Sequence, residues 1–266
     1  MAVLGAEPEI SIARREGLPF LVEHWYLGSR TRRYMMVRRF REVLERADLQ
    51  PGQRVLDLGC GWAYGTLWAR SLGCRVAGVD LGLDQLRWAR YALERGDRLG
   101  LTRANAKLLP FRDRAFDRVV SVEMMEHVFR PDRRLVLAEI ARVLEPGGRV
   151  AISTPNARSP IELAKRLAVR WPALRRRLPG ACFPEAPDDE ATYHPYRYHH
   201  PLELGELAGG LEAAGLEVRG ATRFLWVLKT LPDPLLAAGR AAERLAESFP
   251  LVRRLGATSL VWAVRR

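Results

Sequence analysis

The sequence predicts an α/β protein: a seven-stranded, mostly parallel sheet with helices on both faces, an N-terminal helical cap, and an insertion after the fifth strand. Three observations carry this. From Gln53 to Ile152, short apolar runs alternate with segments of helical period. Strand–helix alternation of this kind builds parallel sheets with right-handed crossovers. The stretch VLDLGCGWAYGT, Val55 to Thr66, leaves a strand through two glycines and enters a helix. After a break at Thr154 the alternation resumes near Leu202 and runs to the end of the chain.

The elements follow in order. Before Pro51, YMMVRRFREVLERA is the clearest helix. QRVLDL reads as a buried first strand, and TLWARSLG as a helix ending at Gly73. CRVAGVD is the second strand. LDQLRWARYALERG is an amphipathic helix with Leu86, Ala89 and Leu93 on one face and a glycine stop. LTRAN is a short third strand and FDRVVSV the fourth. RRLVLAEIARVLEPGG is a helix closed by Pro-Gly-Gly, and RVAIST is the fifth strand. Ala157 to Pro201 holds many prolines, a basic helical piece and a Tyr/His cluster, and reads as an insertion. LELGELAGGLEAAGL and DPLLAAGRAAERLAESF are then helices, and EVRGATRFLWVL and SLVWAV are strands. The expected division is a cap over 1–50, a core over 51–156, the insertion over 157–201, and completion of the core over 202–266.

The 266 residues suit one large domain with appendages. A net charge of +12, almost all from arginine, favours anionic partners: nucleic acid, acidic lipid or phosphorylated molecules. It does not choose among them, and an arginine-rich composition gives the same charge with no partner at all. Cys60, Cys74 and Cys182 have no metal or redox spacing, and so sparse a set suits a reducing compartment. The N-terminal residues lack the apolar core of a signal sequence. No stretch reaches the roughly 18 apolar residues of a membrane span. The expectation is a soluble, cytoplasmic chain, with peripheral membrane contact left open.

In an open parallel sheet, ligands bind beyond the carboxyl ends of the strands, at the first βα turn. Gly59 and Gly61 let the backbone turn sharply and approach a ligand. Asp57 stands just before them. Asp80 ends the second strand, at about the 20-residue spacing that suits a ribose diol. The turn lacks the third glycine of dinucleotide binders, because position 64 is tyrosine, and it lacks the Gly-Lys-Ser/Thr of phosphate loops. Asp57 would repel a pyrophosphate and suit an ammonium. A ligand with a ribose and an amino-acid tail fits best.

VLDLGCGWAYGT, GVDLGLDQLRWAR, ANAKLLPF, FDRVVSVEMMEHV and LEPGGRVAISTPN resemble, in order and spacing, the motifs of class I S-adenosylmethionine-dependent methyltransferases of the methyltransferase-11 type. The resemblance spans Gln53 to Asn156 and implies a Rossmann-like core with S-adenosylmethionine as cofactor. It implies that Asp57, Gly59, Cys60 and Gly61 lie along the methionine moiety and that Asp80 takes the ribose hydroxyls. Leu81 would pack on the adenine, with Asn105 and Ala106 beside its amino group, and Val122 and Glu123 would face the cofactor. Two departures stand out. Ala63 replaces a third glycine and is expected to add a methyl beside the cofactor. Asn105 replaces an aspartate, and its amide oxygen can still accept a hydrogen bond.

SVEMMEHV, together with GVDLGLDQLRWA and the insertion after the Ser-Thr-x-Asn turn, is similar to ubiquinone-biosynthesis O-methyltransferases. His127 is the candidate base for deprotonating a hydroxyl acceptor, and Glu123 is second. The alternative is that His127 only orders the pocket wall. Glu123, Glu126 and His127, with His199 or His200, also form a candidate divalent-metal set. Resembling arrangements occur in small-RNA 2′-O-methyltransferases and some quinone O-methyltransferases. The motif here lacks the Asp/Asn-Pro-Pro-aromatic run of nucleobase N-methylation and a Pro-Cys nucleophile, so oxygen is the expected acceptor atom.

In the insertion, SPIELAKRLAVRWPALRRRLPG (159–180) places Ile161, Ala164, Leu167, Ala168 and Trp171 on one side and Lys165, Arg166 and Arg170 on another. It reads as a lid over the site, as a membrane-surface helix, or as both. Pro172 is read as the stop of its first helix, with Leu174 and Arg175 to Arg177 on a second. Tyr193, Tyr196, Tyr198, His199 and His200 either line the acceptor site or pack the returning loop. EHWYLGSRTRRY is read as a cap over the cofactor. The expected partner is a small, partly apolar acceptor: quinone-like, lipid-linked or glycan. Two alternatives stand beside it, a basic RNA 2′-O-methyltransferase and a non-catalytic, cofactor-binding membrane adaptor. Against RNA, no recognisable RNA-binding module is present. Acceptor identity and oligomeric state are not legible.

Overall fold

The computed structural model describes residues 22–92, 100–171 and 198–266. Its centre is one seven-stranded sheet in the order β3-β2-β1-β4-β5-β7-β6. The strands are β1 (Arg54–Leu58), β2 (Arg75–Asp80), β3 (Gly100–Arg103), β4 (Phe116–Val122), β5 (Leu144–Pro155), β6 (Leu216–Phe224) and β7 (Thr258–Arg265). The helices are α1 (Arg30–Ala47), α2 (Tyr64–Ser71), α3 (Leu83–Ala92), α4 (Arg133–Val143), α5 (Pro160–Arg170), α6 (Leu204–Ala213), α7 (Leu236–Ser248) and the single turn α8 (Pro250–Arg253). A short π-helical turn, Val22–Leu27, precedes α1.

β1 is buried because it is flanked on both sides, with Asp57 opposite Gly78 of β2 and Val120 of β4. Its side chains alternate between two apolar layers. Val55 joins Leu44, Trp68 and Ala151 on one side, and Leu56 and Leu58 join Val119, Ile140 and Ile152 on the other. The first layer carries an aromatic group in which Tyr26 and Phe40 lie 5.8 and 4.9 Å from Tyr64.

One expectation needs correction. The helix before β5 stops at Val143, not at Pro-Gly-Gly. Leu144 is already extended and pairs with Phe116, and the glycines lie within an irregular start of the strand, where Gly147 takes φ 79° and the register shifts before Arg149 meets Arg118. The sheet is mostly parallel, as expected, and its one antiparallel strand among the described residues is β7, which runs between β5 and β6. The α7–α8 excursion begins and ends at the edge where β6 stops. The chain must therefore descend through β7, which leaves α7 and α8 at the same edge as the glycine turn.

α1 is held at that edge by caps of different origin. Ser29 accepts the Arg32 N–H at 3.1 Å, while the Asp233 carboxylate, some 200 residues away, accepts the N–H groups of Arg30 and Thr31 at 3.0 and 2.9 Å. Orphan amides at a helix start need such acceptors. Replacing Asp233 by Ala should destabilise the fold, read as a lower urea midpoint with an unchanged slope.

Candidate functional site

The glycine turn is built by backbone bonds to β2. The N–H groups of Gly59 and Cys60 both donate to the Val79 carbonyl at 2.8 and 3.0 Å. The Gly61 N–H reaches one Asp80 oxygen at 2.8 Å, and the Gly82 N–H reaches the other at 2.8 Å. Asp80 is thereby fixed in orientation while each oxygen keeps accepting capacity. Burial pushes its pKa up, against these bonds and the nearby His127. Gly59 has φ 79°, and a Cβ there would lie 2.4 Å from Cγ of Met124. Only glycine allows the turn and the loop after β4 to close on one another.

The other expected cofactor residues sit around this turn. Asp57 is buried under the start of α2, where it accepts the Thr66 hydroxyl at 2.7 Å, and burial raises its pKa to about 6. Cys60 is buried, which pushes its thiol up. Leu81 is exposed, and Ala106 and Val122 are half-buried. The Asn105 amide oxygen accepts the Lys107 N–H at 3.0 Å, so a local turn uses part of its capacity. Ala63 is left-handed at φ 70°, and its methyl is fully buried in the cluster of Leu86 and Ala89. The missing third glycine therefore costs backbone strain of about 1–2 kcal/mol, and its methyl contributes to the packing against α3.

The loop after β4 carries the candidate acid–base side chains. Glu123 takes φ 53° and is pinned by three contacts from two residues. Its N–H meets the Ser153 carbonyl at 3.1 Å, its Oε1 accepts the Ser153 hydroxyl at 3.1 Å, and Arg39 of α1 stands 3.4 Å from Oε2. Glu126 is 2% exposed and accepts the Thr154 hydroxyl at 3.2 Å. Burial, then repulsion from Glu123, pushes it well above the carboxylate range. His127 Nδ1 lies 2.7 Å from the Tyr198 carbonyl. A carbonyl can only accept, so Nδ1 carries the proton and, in the neutral ring, Nε2 carries the lone pair.

The returning stretch completes the site. His199 is 7% exposed, its ring lies 5.5 Å from that of His127, and neither of its nitrogens has a hydrogen-bond partner. Burial, then the charges of Lys165 and the neighbouring histidines, lowers its pKa to about 3. Ligand atoms of Glu126, His127 and His199 lie within 4.8 Å of one another. Tyr198 instead packs the loop. Its ring stacks with His200 at 4.4 Å, and its hydroxyl accepts the Arg130 N–H. Arg133 locks the stretch by donating to the His200 carbonyl and pairing with Glu206. Tyr193, Tyr196, Pro172, Leu174, Arg175 to Arg177 and Cys182 lie outside the described residues.

α5 differs from its expected orientation. Leu163, Leu167 and Trp171 are exposed, whereas Glu162 is buried and pairs with the half-buried Lys165. Both act electrostatically on Glu123. Lys165 thus belongs to the site rather than to a solvated basic face, because its (CH₂)₄ stem and ammonium are satisfied by Glu162 one turn earlier. Arg39, Ser153 and Thr154 were likewise not singled out. Arg39 has no local signal, while the serine and threonine stand in the Ser-Thr-x-Asn turn itself.

A methyltransferase-domain family model matches residues 56–152. A ubiquinone biosynthesis O-methyltransferase of Xanthomonas axonopodis pv. citri is 32% identical over 183 residues, 68% of this chain and 70% of that protein. The chain belongs to the class I S-adenosylmethionine-dependent methyltransferases. Methyltransferase GfsG of Streptomyces halstedii is 41% identical to this methyltransferase over 116 residues, 42% of this chain and 41% of that one. This methyltransferase spans about half the length of the first such relatives. A solved S-adenosylmethionine-dependent methyltransferase of Archaeoglobus fulgidus shares the fold, with a TM-score of 0.58, 17% identity, and coverage of 92% of this chain and 99% of that one.

Asp57 gives this methyltransferase a pH signature. Its folded pKa of about 6 lies above the ordinary carboxylate value, so the unfolded chain releases the proton first. Stability from this group is present below about pH 4 and is lost as pH rises through 6. Asp57→Asn removes the loss. The variant should gain up to ~3 kcal/mol on wild type between pH 4.5 and 7.5 in urea unfolding.

Proposed function

We propose that the protein transfers a methyl group from S-adenosylmethionine to a hydroxyl oxygen of a small, partly apolar acceptor: quinone-like, lipid-linked or glycan. The observation that carries this reading is the contact of Met124 with Gly59, which sets His127, with its Nε2 lone pair, beside the glycine turn and Asp80. Methyl transfer from a sulfonium is an in-line displacement. The oxygen attacks the methyl carbon, the C–S bond breaks toward sulfur, and the acceptor proton leaves. Alignment supplies much of the rate. His127 Nε2 takes the proton, while the Tyr198 carbonyl stabilises the imidazolium through Nδ1–H. Glu123, held by Arg39 and Ser153, orders the mouth of the site. The exposed Leu163, Leu167 and Trp171 of α5 favour an acceptor with an apolar part and, in segment 159–180, a contact with membrane as well.

S-adenosylmethionine should bind wild type in calorimetry and be lost in Asp80→Ala. Absence of wild-type binding overturns the reading. In an acceptor screen read by S-adenosylhomocysteine release, His127→Gln should cost about 10²–10⁴-fold in kcat.

A second element rests on His199. A buried imidazole with two unpartnered nitrogens beside a buried carboxyl fits a divalent cation, and two nitrogens with one oxygen suit Mn²⁺ or a softer ion better than Mg²⁺. Glu126, His127 and His199 would hold it. Because Nδ1–H is committed to the Tyr198 carbonyl, His127 would spend its Nε2 lone pair on the ion. This reading therefore replaces the His127 base, and the ion would instead lower the pKa of an acceptor hydroxyl. Glu126 would then give up the proton that burial imposes on it. Mn²⁺ should raise the unfolding temperature of wild type and leave that of His199→Ala unchanged. Equal shifts in both overturn the metal site.

A further inference from the structure

The α7–α8 excursion carries five apolar side chains that nothing among the described residues covers. Leu251 is 73% exposed, Leu245 63% and Phe249 53%, and Val252 and Leu255 are exposed beside them. They fall within eleven residues of chain, at a tip formed where α7 ends and Pro250 starts α8. Scattered exposed leucines are ordinary, but a contiguous apolar tip is not.

The charges around the tip are sorted by sign. Its two acids turn inward. Glu243 is buried and accepts the Tyr34 hydroxyl and the Trp226 and Val227 N–H groups. Glu247 pairs with Arg38 at 2.9 Å and accepts the Leu225 N–H at 3.0 Å. Arg244, Arg253 and Arg254 remain outside, all exposed. Positive charge continues beyond them. Arg158 and Arg254 both act on Arg223, whose pKa is pushed down by burial and by these two guanidiniums. The tip is also rigid. The Asn156 side-chain amide donates to the carbonyls of Arg254 and Gly256 at 3.1 and 2.8 Å, and Asp233 ties the start of the excursion to α1.

We propose that this tip docks the protein on an anionic lipid surface, with Leu245, Phe249 and Leu251 entering the headgroup–acyl boundary and Arg244, Arg253 and Arg254 meeting the headgroups. The sequestered acids select for a negative surface, and a fixed apolar point beside cations suits an interface better than a groove. The excursion lies on the sheet edge of the glycine turn, so docking presents that edge to the membrane. The inference stands apart from the methyl-transfer reading and from α5, since it uses none of their residues.

The test is co-sedimentation with vesicles of phosphatidylcholine alone or mixed with phosphatidylglycerol. Wild type should bind the mixed vesicles, and more weakly as salt rises. Phe249→Ser/Leu251→Ser and Arg253→Glu/Arg254→Glu should each bind about tenfold less tightly or worse. Both variants should bind S-adenosylmethionine as wild type does, a control for folding that reads the methyl-transfer proposal separately. Wild type failing to sediment with mixed vesicles, or variants sedimenting equally, overturns the proposal. So does a dimer in analytical ultracentrifugation that the Phe249→Ser/Leu251→Ser variant dissociates, because the tip is then covered by a second copy.

Discussion

β1 and β4 are neighbours in a parallel sheet, so the segments that follow them emerge side by side, and Met124 of one packs on Gly59 of the other. That contact is the constraint on which the site depends. It requires a residue without Cβ in a left-handed conformation on the β1 side. On the β4 side it bends the chain at Glu123 into the same unusual region. The strain is held by backbone bonds from the turn to Val79 and from Glu123 to Ser153. The glycine turn and the loop after β4 are thereby kept in register by the sheet.

The second organising feature is how charge is buried. Glu123, Glu126 and Glu162 face Arg39 and Lys165, with the buried imidazole of His199 kept neutral beside them. These groups come from four elements: α1, the loop after β4, α5 and the returning stretch. Burying such groups is tolerable because most are hydrogen-bonded in place. His199 is the exception, and its two unpartnered nitrogens make it the side chain that most needs a ligand.

The edge of the sheet that holds the site also gathers the additions to the core. The turn at Val22–Leu27, α5 and the α7–α8 excursion all attach there, through Tyr26 on Tyr64, Asn156 on the turn at Gly256, and Asp233 on α1. Their exposed faces are apolar and cationic rather than acidic. The surplus of arginine is thus divided. Arg38 and Arg39 pair with acids inside the structure, Arg133 is itself buried against Glu206, and Arg244, Arg253 and Arg254 remain outside.

The sequence by itself determined the strands, their crossovers up to β5, and the glycine turn, because those depend on periodicity and on residues a few positions apart. It also pointed to Asp80 and His127, which end or follow strands whose place in a parallel sheet is fixed by order alone. Only the tertiary structure decided the direction of β7, since that depends on where the α7–α8 excursion returns. It alone turned Lys165 and Glu162 inward, because the face a short amphipathic helix buries is set by what it meets. It brought Arg39, more than eighty residues earlier in the chain, to Glu123. It also separated the adjacent residues Tyr198 and His199 into loop packing and site, since neighbours in an extended stretch point to opposite sides.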